Sequence, residues 1–455
     1  MSGAVAALTG QRGQMAKHHA RLAGELLIFS GWRPTLSPVN MVPVSGRVLH
    51  FLTNSLPHTG SGYAQRSHSV LTAQQDAGSE ILAVTRMGYP VQVGKVLAKS
   101  EDKVDGVTYR RLVPTHMAQT ADARLQQEAE ELLKVALEFR PEVLHTTTHF
   151  VNGLVVAAVA QALGIPWVYE VRGQLADTWA STRTYAAKSS ERYLSFQAAE
   201  AAVMHEADAV VTLGEAMKEA IVAQGISGQK IVLAPNAVGG DFLKVPGTHA
   251  AARTKLGLDP ELSYIGTVSS LVDYEGLDDL IDAFAILAPQ FPDLRLLLVG
   301  SGTALPALRE RAAKLDLTER VIFTGRVARE QTPLYHQSMD IFVVPRKDLG
   351  VTRAVTPLKP VEALASARPV VASSLPALGE IVIENLNGKL SPAGDPIGLA
   401  EVLANLLEDP QARHELGLKG RELILQTRTW AANALSYTDV YGQLWHEQEK
   451  GSLAS

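Results

Sequence analysis

The sequence predicts an α/β protein of two successive Rossmann-like domains, each a doubly wound parallel sheet, facing one another across a cleft. Three observations carry this. Short apolar runs of strand length recur along the 455 residues, stretches of helical periodicity separate most of them, and the series stops and restarts around PNAVGG, Pro235 to Gly240. A chain this long also needs more than one core, because a single core stops growing at about 250–300 residues.

Residues 1–45 read as an N-terminal extension and linker. Small and basic residues run to Arg21, the segment Leu22 to Trp32 has the composition of a short packing or membrane-surface helix, and a Pro-rich stretch leads to Pro43. A docked or frayed tail is expected there. Residues 46–235 form the first domain, with buried strands expected at Val48 to Thr53, Ile81 to Thr85, Val143 to His145, Trp167 to Glu170, Ala209 to Leu213 and Ile231 to Leu233. Residues 236–425 form the second, with strands at Tyr264 to Val268, Leu294 to Val299, Val321 to Thr324, Ile341 to Val344 and Val370 to Ala372. Leu280, Ile281, Phe284 and Leu287 mark one helical face between them, and Leu305, Leu308, Ala312 and Leu315 another. Residues 426–455 hold a last helical stretch through Trp430, Tyr437 and Trp445. Sheets of this kind bind ligands beyond the carboxyl ends of their strands, which directs attention to the loops there.

Composition excludes several classes. Hydrophobic residues make up 46% and charged residues 20%, as in a packed soluble protein. The 42 basic and 47 acidic residues leave a net charge of −5 with no basic block, so nucleic acid is not an expected partner. Cysteine is absent, which removes disulfides, thiolate catalysis and Cys-based metal sites and agrees with a cytoplasmic protein. No run approaches the ~20 apolar residues of a membrane span, and the N-terminus shows no secretory signal. A soluble or at most peripheral protein is expected.

The most informative stretch is VTPLKPVEALASARPVVAS, Val355 to Ser373. Pro357 and Leu358 lead into an apolar helix at Lys359, so free main-chain N–H groups and the positive end of a helix dipole point at one spot that suits a phosphate. Lys359 adds a mobile cation, and Glu362, one turn later, lies within reach of a sugar hydroxyl. The pattern reads as the pyrophosphate and ribose cradle of an enzyme using a nucleotide sugar; the alternative is an ordinary βα turn with a surface Lys and a helix-dipole Glu. In the first domain Gly60, Ser61 and Gly62 precede a helix, a loop that again favours an anion or is simply a tight turn. VLHTTTHFVNGL, Val143 to Leu154, carries His145 at a strand end and His149 in a polar loop. In YEVRGQLADTW, Tyr169 to Trp179, Arg172 either meets a substrate carboxylate or phosphate or pairs with Glu170 or Asp177 as scaffold.

Through these residues the chain resembles the retaining glycosyltransferases of family 4, the glycogen-synthase-like group 1 enzymes of GT-B fold, from about Arg47 to Leu444 and most strongly from Tyr264 to Gly388. The second Glu of the family's Glu-x7-Glu signature, its Pro-Val-Val-Ala strand and its later Glu match Glu362, Pro369 to Ser373 and Glu380, whereas Ala354 stands where the first Glu belongs. The resemblance implies that Gly60, Ser61 and Gly62 close over the donor diphosphate, with Arg172, Ser270, Gly300 and the Pro357-Leu358 entrance also on the donor side. It places Arg326 and Val327 against the nucleobase. A catalytic His is implied near Asn152-Gly153; the usual position falls on Thr147, which leaves His149, favoured, or His145. The family's Gly-Arg-Leu-x-x-x-Lys-Gly cations are missing from Gly266 to Leu280, where Glu275-Gly276 stand in place of Lys-Gly, and Lys359, Arg346 and Arg353 are the expected replacements.

The implied activity is transfer of a sugar, with retention, from a UDP- or GDP-linked donor to a glycan, lipid-linked or small-molecule acceptor by front-face attack. No cofactor besides that co-substrate is expected. No metal is expected either, since the chain has no Asp-x-Asp triplet. Cytoplasmic work on cell-envelope polysaccharide, peripheral contact with the inner face of a membrane and a homodimer are all compatible with the family, and the last helix should cross back onto the N-terminal domain. The rival readings are a catalytically degenerate protein that binds a nucleotide sugar or scaffolds a partner, and a nucleotide-sugar epimerase of the same fold.

Overall fold

The computed structural model describes residues 11–181 and 183–453. They divide into two compact units: one comprises the described residues up to Thr212, Ile221–Ala234 and those from Ala434 onward, the other Leu213–Ala220 and Pro235–Asn433. Each unit is a parallel sheet between helices, the doubly wound class expected.

In the first unit the strands are β1 (Arg47–Leu52), β2 (Glu80–Thr85), β3 (Glu101–Val104), β4 (Val107–Arg111), β5 (Val143–Thr147), β6 (Trp167–Val171), β7 (Ala209–Thr212) and β8 (Ile231–Leu233). They lie in the order β3-β4-β2-β1-β5-β6-β7-β8, and every pairing but β3 with β4 is parallel. The central strands are buried on both faces, which is why they read as unbroken apolar runs: Leu49, Phe51, Leu144, Val168 and Val210 are sealed from solvent. The β3–β4 hairpin is a strand pair the apolar-run criterion passes over. β3 is a charged edge strand and β4, next to it, alternates polar with apolar residues; they are joined by Asp105-Gly106 with both residues at positive φ (48° and 87°), the geometry of a two-residue hairpin turn.

Before β1 the chain forms a helix, Gln11–Phe29, longer than the Leu22 to Trp32 segment expected. Its last turns, Gly24 to Phe29, are docked, while residues 1–10 of the expected extension lie outside the described residues. Gly24 comes so close to the start of helix Ala121–Phe139 that a Cβ there would stand 2.5 Å from an Asp122 carboxylate oxygen, and the Phe29 ring lies 5.7 Å from Phe150 and 6.1 Å from Phe196. At the other end of the sequence, the helix Trp430–Leu453 contributes its buried stripe of Ala434, Tyr437, Val440 and Tyr441 to this same unit.

The second unit has β9 (Ser263–Val268), β10 (Leu294–Val299), β11 (Val321–Gly325), β12 (Ile341–Val344), β13 (Val370–Ser373) and β14 (Gly388–Ser391). Their order is β11-β10-β9-β12-β13-β14, all parallel. One face packs Leu280, Ile281, Phe284 and Leu403, the other Val361, Leu364, Leu378 and Val382. β14 is too short and polar to announce itself as a strand, and Gly388 marks it instead: a Cβ there would meet the Val370 carbonyl of β13 at 2.1 Å.

Strand order reverses between β1 and β5 in the first unit and between β9 and β12 in the second. At such a point the loops leave in opposite directions and open a crevice above the carboxyl ends of the strands.

Candidate functional site

In the second unit the crevice between β9 and β12 is lined by a buried ionic cluster. Ser269 and Glu275 come from the loop after β9, Arg346 follows β12, and Lys359 opens the short helix Lys359–Ala365. Arg346 grips both Glu275 carboxylate oxygens, Nε to Oε2 at 3.2 Å and Nη2 to Oε1 at 3.0 Å, and its Nη1 donates to the Val355 carbonyl at 2.9 Å. Lys359 Nζ donates to Ser269 Oγ at 2.9 Å and to Glu275 Oε1 at 3.2 Å. Burial pushes the Glu275 carboxyl up, but the charges of Arg346 and Lys359 and their hydrogen bonds outweigh it and hold the group down at about 2. Glu275 therefore stays ionised at neutral pH, one anion shared by two basic side chains.

Glu275 is placed by its neighbour. Gly276 sits at φ 68°, and a Cβ on it would lie 1.8 Å from the Pro345 carbonyl oxygen, so only glycine brings this turn against the residue before Arg346. The side chains divide by exposure. Arg346 is buried and every contact it makes is internal, so it is placed behind Glu275 and not where a ligand would touch it. Lys359 keeps 25% of its side chain exposed and is the cation of the cluster that a ligand can reach. Arg353, the third expected cation, is exposed and paired with Asp348 at 2.9 Å, apart from this cluster.

Other expected donor-side residues surround this loop cluster. Pro357 is buried and Leu358 half-buried at the helix entrance. Glu362 shows 19% of its side chain to solvent and has His336 behind it, with Nε2 3.5 Å from Oε2. His336 is wholly buried between Phe242 and Phe342, and neither ring nitrogen makes a hydrogen bond among the described residues. Ser270 is exposed next to Ser269. Gly300 and Gly302 allow a close approach, but to the protein's own backbone: a Cβ would lie 1.8 Å from the Ser269 carbonyl oxygen at Gly300 and 2.1 Å from that of Leu271 at Gly302. They pin the β9 loop in place. Arg326 is exposed in the turn after β11, and Val327 packs onto the core beneath it. Glu380 accepts from the main-chain amides of Glu215 at 2.8 Å and Ala216 at 2.7 Å, as a helix cap.

In the first unit the expected residues separate into two groups. Ser61 caps the helix Gly62–Asp76, accepting from Ala64 N at 3.3 Å, with Gly60 leading in and Gly62 as the first helical residue. His149 caps the helix Phe150–Leu163: its Nδ1 accepts from Val151 N at 3.3 Å, so the ring proton sits on Nε2. Burial, then the charge of Arg86, brings the His149 imidazole down to about 4, so the ring is neutral at physiological pH. A neutral Nε2–H at this switch point can donate a hydrogen bond but cannot act as an acid.

His145 and Arg172 belong to the interior: for Arg172 this is the scaffold alternative of its sequence reading, and for His145 it corrects the placement in reach of a substrate. Arg172 is spent on Glu170 Oε2 at 2.7 Å and Ser67 Oγ at 2.6 Å, the ion-pair arrangement, and only 4% of it is exposed. Glu170 also takes two bonds from Arg66, at 3.1 and 2.7 Å, and one from the Tyr437 hydroxyl at 3.0 Å. Burial raises the Glu170 carboxyl, yet Arg172 and then Arg66 carry it well below the usual carboxylate range. His145 has no exposed surface; Nδ1 meets the Tyr441 hydroxyl at 2.7 Å and the ring stacks 4.6 Å from His50. Burial keeps both imidazoles neutral, with His145 itself further lowering His50. Enclosed in this way, His145 cannot meet a substrate without the last helix moving. Sequence reasoning missed Arg66, Tyr437, Tyr441 and His336 because their signal is tertiary: partners such as Glu170 and Tyr437 lie 267 positions apart.

Comparison with known proteins follows the same division. The profile of the family described as glycosyl transferases group 1 matches residues 249–423, and that of the glycosyl transferase 4-like domain matches residues 61–237. A GDP-mannose-dependent alpha-(1-6)-phosphatidylinositol monomannoside mannosyltransferase of Mycolicibacterium smegmatis is 31% identical over 191 residues, which are 42% of this chain and 50% of that protein. A D-inositol 3-phosphate glycosyltransferase of Nocardia farcinica is 27% identical over 369 residues, 78% of this chain and 76% of that one. For several of the mannosyltransferase relatives it matches, the chain spans only about half their length. Among solved structures, sucrose-phosphate synthase of Thermosynechococcus elongatus superposes with a TM-score of 0.71 at 22% identity, covering 88% of this chain and 100% of that one, a likeness of fold. With one profile on each of its two doubly wound sheets, the chain belongs to the group 1 glycosyltransferases.

Proposed function

We propose that this chain transfers a sugar, with retention of configuration and without a metal, from a nucleoside-diphosphate donor. One observation carries the reading: a partly exposed lysine, Lys359, stands at the β9–β12 switch point, fixed there by Ser269 and by a Glu275–Arg346 pair. Negative charge develops on a departing diphosphate, and a positioned cation lowers the cost of that charge. The family's missing Arg-Lys pair is met here by Lys359, with Arg346 acting through Glu275. Glu362 is placed for the donor ribose, and Arg326 and Val327 for the base. Within the first unit, His149 Nε2–H and the Gly60-Ser61-Gly62 turn are the groups read as facing a sugar and a phosphate.

A guanosine donor is supported by the name of the mycobacterial mannosyltransferase, which is GDP-mannose-dependent; a uridine donor is the other choice. That name also supports a lipid-linked acceptor, and with it work on cell-envelope glycolipid or glycan at the cytoplasmic face of a membrane. No described helix is long and apolar enough to cross one.

One feature favours a second reading. Glu275 removes one of the two positive charges that the cluster would otherwise offer, as in a protein that binds a nucleotide sugar without turning it over. A thermal-shift panel of nucleoside diphosphates and their sugars decides first whether a donor binds, since a ligand of the folded state raises the melting temperature. Labelled donor with and without lipid extract then separates transfer from binding. The expected result is a shift with GDP or UDP that Lys359→Ala removes, followed by transfer insensitive to chelator. No shift with any nucleoside diphosphate ends the proposal; a shift without transfer or slow donor hydrolysis selects the binding protein.

A further inference from the structure

The first unit carries a surface that neither the donor site nor the fold requires. Between β2 and β3 the segment GYPVQVGKVLAKS, Gly88 to Ser100, holds its base firmly and leaves its tip in water. At the base Gly88 N donates to the Leu112 carbonyl at 2.8 Å, Tyr89 is buried with its hydroxyl 2.6 Å from the Ser55 carbonyl, and Gln92 Nε2 donates to the Met87 carbonyl at 3.2 Å. Beyond it Val91, Val93, Val96 and Leu97 are 40%, 52%, 71% and 96% exposed. Scattered single aliphatics on a surface mean little, but four within seven positions, one of them almost without neighbours, form a patch.

Charge identifies what the patch meets. The segment has two lysines, Lys95 and Lys99, and no acidic residue, in a chain whose net charge is −5. The first acids after it are engaged elsewhere, Glu101 with Arg110 at 3.5 Å and Asp102 with Arg111 at 2.9 Å. Protruding aliphatics with interleaved lysines and no groove match a bilayer interface: the apolar chains enter the acyl boundary while ammonium groups stay among anionic headgroups. A folded protein partner would call for a shaped recess or aromatic anchors, and the tip offers neither. The loop also leaves the carboxyl edge of the sheet beside β1, the edge that bears Ser61 and His149.

We propose that Val91–Lys99 is an interfacial loop that seats the first unit on an anionic lipid surface. This deepens the reading of a membrane-borne acceptor, yet its test uses neither donor nor turnover, so the two stand or fall separately. Because the chain has no cysteine, Leu97→Cys gives a single attachment point for an environment-sensitive fluorophore, and Ile397→Cys, at a residue 63% exposed in the second unit, serves as control. With vesicles of phosphatidylcholine and phosphatidylglycerol the label at 97 should shift to the blue and brighten while that at 397 stays as in buffer; phosphatidylcholine alone should give little change.

In co-sedimentation, Lys95→Glu with Lys99→Glu should weaken binding by about tenfold or more, from roughly fivefold per lysine near such a surface. Val96→Ser with Leu97→Ser should weaken it by about tenfold or more through lost apolar burial. Both pairs are solvent-facing, so melting temperatures should match the parent. Sedimentation with a label at 97 that stays in water would assign the membrane contact to another surface and overturn the proposal. So would failure to sediment with any anionic vesicle, or a label shift driven by protein concentration alone, which would make the loop a contact between copies.

Discussion

Glu275 decides how the donor-side cluster works, because it is charged, buried and shared by the only two cations that touch it among the described residues. Lys359→Ala should lower turnover tenfold or more through lost charge stabilisation. Arg346→Ala should lower it too, but together with stability, since a buried carboxylate loses its bidentate partner at a cost of about 3–5 kcal/mol; urea unfolding beside steady-state kinetics tells the two apart. The linkage has a definite sign. Glu275, depressed to about 2, contributes stability above the unfolded carboxylate value that is lost only as pH falls toward 2. Glu200 behaves oppositely: burial pushes it up to about 7 against the hydrogen bonds from Leu175 and Ala176. The folded state then holds that proton, and stability falls as pH rises from the ordinary carboxylate range through 7. Glu200→Gln should therefore raise the melting temperature at pH 8 and change little at pH 4, by at most about 3 kcal/mol. His149→Asn keeps a capping side chain, so melting should be near the parent's while loss of the Nε2–H donor lowers kcat; an unchanged kcat would make His149 a cap and nothing more.

At the scale of elements, turns do the positioning. Gly276→Ala places a methyl on the Pro345 carbonyl and strains a positive φ, which should destabilise by about 2–4 kcal/mol and impair donor binding with it; normal denaturation and donor affinity would remove Gly276 from the account. What was readable followed from burial. Strands covered on both faces, such as β1, β9 and β10, had only apolar side chains or nearly so, and their limits fall within a few residues of expectation. β3, β4 and β14 lie at or near sheet edges, where polar residues are tolerated, and so lacked that mark, although the Asp105-Gly106 turn was there to be seen. Glu275 was visible as an acid in a lysine's place, whereas its grip on Arg346, 71 positions away, was not.

Over the whole molecule, the Glu170 network shows why local sequence left the roles of His145 and Arg172 open. Arg172 follows the carboxyl end of β6 and His145 sits within β5, but the last helix closes over their network, Tyr437 donating to Glu170 from 267 positions away and Tyr441 meeting His145 from 296 positions away. Glu170→Gln should cost about 3–5 kcal/mol, because two buried guanidinium groups lose their anion, and amide exchange in the last helix near Tyr437 should quicken; protection equal to the parent's would show the helix held by packing alone.

The polypeptide passes between the two units four times, at Thr212, Ala220, Ala234 and Asn433. Neither half is thus a contiguous gene fragment. Expressing residues up to 235 by themselves would strip the lid from the histidine pair and leave a sticky apolar scar, while a chimera meant to exchange the second unit has to splice at all four crossings and return the native tail to the first.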